Sequence, residues 1–196
     1  MHKPETGTRP HRHPGTRNNL ASAYRTAGRL TEAIPLFEQN LADQERVVGR
    51  DHPRTLAARG NLGGAYLTAE RLTEATLLDE QTLADGERVL GPDHPDTLTS
   101  RNNLASAYRA AGRLTEAIPL YEQTLADRQR ILGPDHPQTL TSRGKLAGAC
   151  RAAGRLIEAI PLYEQNLAEQ ERVLGPDHPD TLTTRQIVAA LGDEAK

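Results

Sequence analysis

The chain has little of what compact domains usually build with. Among 196 residues there is no tryptophan, one phenylalanine (Phe37) and five tyrosines, so aromatics are 3% of the total. A core without rings has to collect many Leu, Ala and Ile side chains, which a stack of helices can do. The single cysteine, Cys150, excludes an internal disulfide framework and suits a reducing compartment. No apolar run approaches the ~18 residues that span a bilayer. The first residues, MHKPETGTRPHRHPGTR, lack the apolar centre of a signal peptide. The expectation is a soluble, cytoplasmic protein with no membrane association. Net charge is −2 with signs intermixed, and only three of 24 basic residues are lysine. There is no basic footprint for nucleic acid.

What is present is repetition. Gly91 to Leu132 is one unit of a 42-residue period, and the next unit, Gly133 to Leu174, copies it at 31 positions. Gly49 to Leu90 is a looser copy, and residues 15–48 hold a frayed one that has lost three residues between His13 and Leu20. Self-similarity at a fixed period specifies an array in which each unit touches only its neighbours. The expected organisation is a flexible tail over 1–14 and an array over 15–191. Its repeats cover about 15–48, 49–90, 91–132 and 133–174, followed by a terminal helix over about 179–191 and a short tail over 192–196.

Each full repeat reads as two helices. In the third, His94 or Asp93 can cap the start and Pro95 suits the first helical position. Leu98, Leu104, Ala105 and Tyr108 recur at spacings of three and four, giving one apolar face as far as about Ala111. Gly112 supplies a break. The second helix runs from about Leu114 to Leu132, with Leu114, Ala117, Ile118, Tyr121, Leu125 and Leu132 on a wide buried stripe. Gly133-Pro134 ends it. Pro35, Pro119 and Pro161 fall inside second helices and should loosen the first turn. The first helix of the array should start late and be about one turn short. Short connections make successive helices antiparallel neighbours, so the fold class is all-α, an α-solenoid of four helix-turn-helix repeats with a C-terminal capping helix.

Leu104-Ala105-x-x-Tyr108, then Ala117 and Tyr121, resembles the tetratricopeptide signature of Leu, small residue, Tyr, Ala and ring at fixed offsets. Leu20-Ala21-x-x-Tyr24, Ala33 and Phe37 match it in repeat one. Leu146-Ala147-x-x-Cys150, Ala159 and Tyr163 match it in repeat four, with Cys for Tyr. Repeat two keeps Leu62-Gly63-x-x-Tyr66 and Ala75 but has Asp79 in the ring position. The 42-residue period, with Gly-Pro-Asp-His-Pro between units, is similar to the kinesin-light-chain type of tetratricopeptide (TPR) repeat. A 42-residue period alone would also suit HEAT repeats or propeller blades, but propellers need β-rich strands and HEAT repeats lack the Tyr and small-residue offsets. The resemblance implies a right-handed superhelix whose concave face holds an extended peptide or a partner segment. It also implies an alternative, because such arrays often accompany bacterial signalling ATPase domains: an oligomerisation or sensor segment acting through terminal or convex surfaces.

On a helical wheel for repeat three, Thr99, Asn102, Asn103, Ser106 and Arg109 lie opposite the apolar face. By the resemblance this side lines the groove, where Asn and Ser could hold a peptide backbone and Arg a carboxylate. Of the 11 differences between repeats three and four, three fall here: Asn102/Gly144, Asn103/Lys145 and Ser106/Gly148. Candidate groove residues are therefore Asn18, Asn19, Ser22, Arg25, Asn61, Asn102, Asn103, Ser106, Arg109, Lys145 and Arg151. The plainer reading is a solvated helix face.

Two ladders recur at the repeat spacing. Arg17, Arg59, Arg101, Arg143 and Arg185 lie on apolar faces and should pack their stems between helices while pairing with a Glu of an adjacent helix. His52, His94, His136 and His178 stand too far apart to share a metal and should cap helices. Cys150 reads as a buried small residue, because nothing in the repeat supplies it with a base. No Gly-rich phosphate loop, zinc motif or catalytic constellation breaks the repeat, so no enzyme, metal or cofactor is expected. Gly60, Gly63, Gly64 and Gly86 should make repeat two the soft point, at about 1 kcal/mol each relative to Ala. Ile187, Val188 and Leu191 make the last helix apolar for a cap and suggest a homodimer through the terminal helices.

Overall fold

The computed structural model describes residues 14–194, with side chains described from 15 to 192. The predicted tail as far as position 13 lies outside them. Among the described residues there are nine helices and no strand: α1 (Pro14–Thr26), α2 (Leu30–Val48), α3 (Pro53–Thr68), α4 (Leu72–Val89), α5 (Pro95–Ala110), α6 (Leu114–Leu132), α7 (Pro137–Ala152), α8 (Leu156–Val173) and α9 (Pro179–Glu194). Each packs on the one before and the one after, the order of a solenoid. The odd-numbered helices open each repeat and neighbour one another, as α1, α3 and α5 do. Over the described residues α1 has 13 residues against 16 in α3, α5 and α7. The last helix runs three residues past the expected 191.

The helix ends follow from local chemistry. His52, His94, His136 and His178 each accept, through Nδ1, the backbone N–H two residues on, at 3.1–3.2 Å. Pro follows directly at the first helical position, where a missing donor costs nothing. Each ladder histidine is thus engaged in capping. Gly28, Gly112 and Gly154 close the first helices at φ of +72°, +74° and +73°. Repeat two has Glu70 in this place, held at φ +57°, where a Cβ is strained. Helices α2, α6 and α8 continue through Pro35, Pro119 and Pro161, all exposed.

The core is a run of small and aliphatic side chains in close contact. Ala105, Ala117, Ala149 and Ala159 are fully buried beside Tyr121, Ile118 and Leu146. Leu98 and Leu140 are buried to 1% and 2% exposure, and each such leucine stabilises by about 1.5–3 kcal/mol. Tyr121 reaches across to donate to Ser106 Oγ at 2.9 Å. Tyr108 lies at the edge, donating to Glu80 at 2.7 Å with the Arg113 guanidinium 4.2 Å above its ring. Cys150, in the same place one repeat later, is buried, and burial pushes its thiol pKa up.

The arginine ladder joins the repeats. Arg59 pairs with Glu45 of α2 at 3.2 Å and Asp85 of α4 at 2.6 Å. Arg101 repeats this with Glu87 of α4 at 3.1 Å and Asp127 of α6 at 2.8 Å, at 1% exposure. Counting the arginine as i, the rule is one carboxylate at i−14 and another at i+26. Arg143 keeps the second, with Glu169, but Gln129 stands where the first should be, and its Nη2 is buried without a partner. Arg185 makes the first, with Glu171 at 2.7 Å.

Repeat two carries the departures. Asp79, in the ring position, is buried to 2% exposure with Oδ1 unpartnered, and burial pushes its carboxyl up to about 7. A Cβ on Gly63 would lie 2.3 Å from Asp79 Oδ1, so only glycine admits the carboxyl. A Cβ on Gly64 would meet the Arg25 guanidinium at 3.0 Å. These glycines accommodate neighbours as well as weakening the helix.

Candidate concave groove

Two cavities lie along the opening helices. The smaller, about 150 Å³, sits between α3 and α5 and is lined by Gly60, Asn61, Gly86, Thr99 and Asn103 among others. The larger, about 360 Å³, sits between α7 and α9. Its walls include Arg109, Lys145 and Ile187, and its floor is Tyr163, Asn166 and Gln170 of α8.

The wheel places some candidates well and others badly. Asn61 and Asn103 line the first cavity, and Arg109 and Lys145 the second. Asn19 is exposed on α1, beside half-buried Ser22. Asn18 and Asn61 bond each other, Nδ2 of Asn61 donating to Oδ1 of Asn18 at 3.1 Å. Arg25 is half-buried with its guanidinium 5.9 Å from the Phe37 ring centre. Arg151 is half-buried on α7. Ser106 is committed to Tyr121 and to Lys145, whose Nζ donates to its Oγ at 3.3 Å. Asn102 corrects the wheel. It is buried to 5% exposure with Oδ1 unpartnered, so it is not displayed to a partner. Its equivalent Gly144 shows why: a Cβ there would lie 3.3 Å from Asn166 of the repeat's own second helix. The position points between the paired helices, at the edge of the polar arc.

Wheel reasoning on first helices misses the floor. Position 44/86/128/170 reads Gln, Gly, Arg, Gln along the array and lies on second helices. Gly86 leaves the first cavity open, and Gln170 floors the second with its buried Oε1 unpartnered. Arg128 spans from α6 to both neighbouring first helices. Its Nη1 donates to Ser142 Oγ at 2.7 Å and Gln138 O at 3.2 Å, and its Nη2 reaches Thr99 Oγ1 at 3.5 Å. The signal is in the sequence: Thr124/Asn166 and Arg128/Gln170 are among the 11 differences between the best-matched repeats.

Charge is uneven along the groove. Lys145 is pushed down to about 8, first by burial and then by the neighbouring Arg128 and Arg109. Burial also holds Arg128 below the usual guanidinium range. In repeat two, Leu67 replaces the arginine of Arg25, Arg109 and Arg151. Among the described residues, no group of three or more His, Cys, Asp or Glu is placed to hold a metal ion. No helix there is long and apolar enough to cross a membrane.

The tetratricopeptide repeat model matches residues 14–85, 78–129, 102–165 and 144–192, the array from end to end. The chain belongs to the tetratricopeptide repeat family. Among solved structures, it is similar to a Podosopora anserina protein assigned to the kinesin light chains, with nearly identical TPR-like repeats. Identity is 36%, TM-score 0.79, and the match covers 92% of this chain and 86% of that one. A second structure of that protein gives the same identity and TM-score over 91% and 86%. BtubC (BKLC) from P. vanneervenii shares the fold at TM-score 0.81 and 19% identity, over 92% of this chain and 72% of that one. No curated protein matches the sequence. The kinesin-light-chain-like TPR solenoid read from the 42-residue period is therefore the fold found. TPR repeats generally mediate protein–protein interaction, and their scaffolds are typically non-catalytic.

Proposed function

We propose that this chain is a non-enzymatic scaffold that binds an extended segment of a partner protein in its concave groove. One observation carries the reading. Of the 11 positions at which repeats three and four differ, five (Gly144, Lys145, Gly148, Asn166 and Gln170) line a single cavity of the groove. The frame of Leu140, Leu146, Ala147 and Ala149 around them matches Leu98, Leu104, Ala105 and Ala107 residue for residue. A frame held constant under a lining that varies is what selective recognition requires. The cavities take side chains, and the amides of Asn61 and Asn103 can hold a peptide backbone.

A second reading is assembly of two copies through α9. It is favoured by Leu182, 41% exposed where its equivalents Leu98 and Leu140 are buried. Ile187 cannot separate the readings, because it lines the groove cavity.

Photo-cross-linking separates them. A photoreactive residue goes in turn at Asn103 in the groove, at Leu182 on α9, and at Leu77, 55% exposed on α4 and lining neither cavity. The expected result is adducts to another protein from position 103 alone. Adducts of twice the chain's mass from position 182 support assembly instead, and partner adducts mainly from position 77 overturn the groove.

A further inference from the structure

Arg128 shows how this fold seats a guanidinium between helices. From α6 its Nη1 donates to Ser142 Oγ of α7 at 2.7 Å and to Gln138 O at 3.2 Å. Ser142 Oγ in turn donates to Gln138 O at 3.0 Å, which fixes the pair of acceptors. Arg128 is 4% exposed and Ser142 is wholly buried. One repeat earlier the same pair recurs, Ser100 Oγ donating to Asp96 O at 3.0 Å. The counterpart of Arg128 there is Gly86, which has no side chain. Ser100 is half-buried where Ser142 is covered. Gly86, Asp96 and Ser100 all line the cavity of about 150 Å³ between α3 and α5. A cavity of about that size holds a benzene ring, which is larger than a guanidinium group.

The other junctions set this one apart. Before repeat two, Ala58 stands in the serine place and Gln44 in the arginine place. At the last junction Gln170 shares a cavity with Thr184, whose Oγ1 donates to Asp180 O at 3.0 Å. Only Ser100 has the hydroxyl bond with no second-helix side chain to meet it. The charge also suits a cation. Asp96 replaces neutral Gln138, and its side chain is 55% exposed. Neutral Asn103 stands where the next repeat has Lys145. Arg128 reaches Thr99 of the same wall at 3.5 Å, and the Asp96 carboxylate supplies the opposing charge. We infer that the Gly86 cavity is a guanidinium site, which takes an arginine side chain of the partner segment. That side chain makes from the partner the contacts that Arg128 makes from within the chain. The planar fork of arginine reaches two acceptors at once, which the single ammonium of lysine does not match. This rests on the groove reading and adds the residue type that the partner must carry there.

The test uses the whole chain and two probes, arginine and lysine each capped as N-acetyl methylamides, titrated at constant ionic strength. Binding is followed by the NMR shifts of the Gly86 and Ser100 amides. The expected result is saturable shifts with the arginine probe and binding roughly tenfold or more weaker with the lysine probe. Ser100→Ala, the residue repeat two already has as Ala58, should weaken the arginine probe roughly tenfold, as for loss of one charge-assisted bond. Gly86→Arg should abolish binding by filling the cavity from within. Gly86→Ala should retain it. The added Cβ lies 3.3 Å from Thr97 Oγ1, a hydroxyl that can turn to Gly91 O as Thr139 does to Gly133 O at 2.8 Å. No saturable shift with the arginine probe, or an equal response to lysine, overturns the site. The source of the arginine is read from a photoreactive residue at Thr141, exposed in the larger cavity. Partner adducts from position 141 that weaken in the Gly86→Arg chain support the partner's arginine. Adducts that persist unchanged there while the arginine probe binds the parent chain assign the cavity to a free guanidinium compound and overturn it. If adducts form but neither probe binds, the guanidinium site falls and the groove reading stands.

Discussion

Asp79 makes the stability of the array depend on pH in a direction opposite to its other perturbed carboxylates. Its carboxyl titrates near 7 in the fold against an ordinary 3.8, because burial disfavours the charged form. Between about pH 4 and 7 the folded chain keeps a proton that the unfolded chain has released. Stability therefore falls as pH rises across that window, and the loss is complete above 7. At about 1.36 kcal/mol per tenfold change, the full effect is about 4 kcal/mol, a large part of a domain's net stability. Asp43, Asp51 and Asp85 are held low by Arg17, Arg88 and other arginines, so they weaken the fold only at more acid pH. From pH 4.5 to 8 those carboxylates stay ionised, and comparison with a variant cancels the Lys145 ammonium, which titrates near 8 in both chains. Asp79→Asn keeps the shape and removes the charge. Urea unfolding followed by circular dichroism should give stabilities within about 1 kcal/mol of each other for the two chains at pH 4.5. At pH 8 the variant should be the more stable by up to about 4 kcal/mol. Parallel profiles for variant and parent, or a gap under about 1 kcal/mol at pH 8, would refute the reasoning.

Two further changes test the frame. Glu70→Gly relieves the one non-glycine residue at positive φ among the described residues and should raise stability by about 1 kcal/mol, read as a higher urea midpoint; a lower midpoint counts against strain there. Arg101→Met keeps the packed stem but removes the guanidinium that joins α4 to α6. Its two carboxylates are partly solvated, at 45% and 20% exposure, so the expected loss is about 2 kcal/mol, below the range for a wholly buried pair.

Most of the frame is legible in the sequence because the repeat states it four times. Ala33, Ala75, Ala117 and Ala159 are the same residue in every copy and wholly buried in every copy, and the His-Pro caps and glycine breaks carry their chemistry locally. The candidate site is less legible for a geometric reason. The groove has walls from first helices and a floor from second helices, and a wheel drawn for one helix shows only a wall. Asn103, Arg109 and Lys145 are visible because they stand on that wall. Gln170 escapes notice because it belongs to the stripe that packs the helix pair, and Asn102 is misplaced because it lies where wall turns into core. Asp79 is visible as a missing ring, but its dependence on Gly63 requires the 2.3 Å approach that only coordinates give.

The arginine ladder also bears on how the array comes apart. In a linear array, stability is the sum of what each unit contributes alone and what each boundary contributes by coupling. Arg59 and Arg101 each bind one carboxylate of the preceding repeat and one of their own, so they act as couplings. At the boundary between repeats three and four the ladder arginine loses its earlier carboxylate to Gln129, and Arg128 crosses instead through neutral bonds to Ser142 and Gln138. Softness is thus divided between two places. Repeat two is weak within itself, while the junction before repeat four has lost one of the ladder's two carboxylates, so partial unfolding has a preferred breakpoint there.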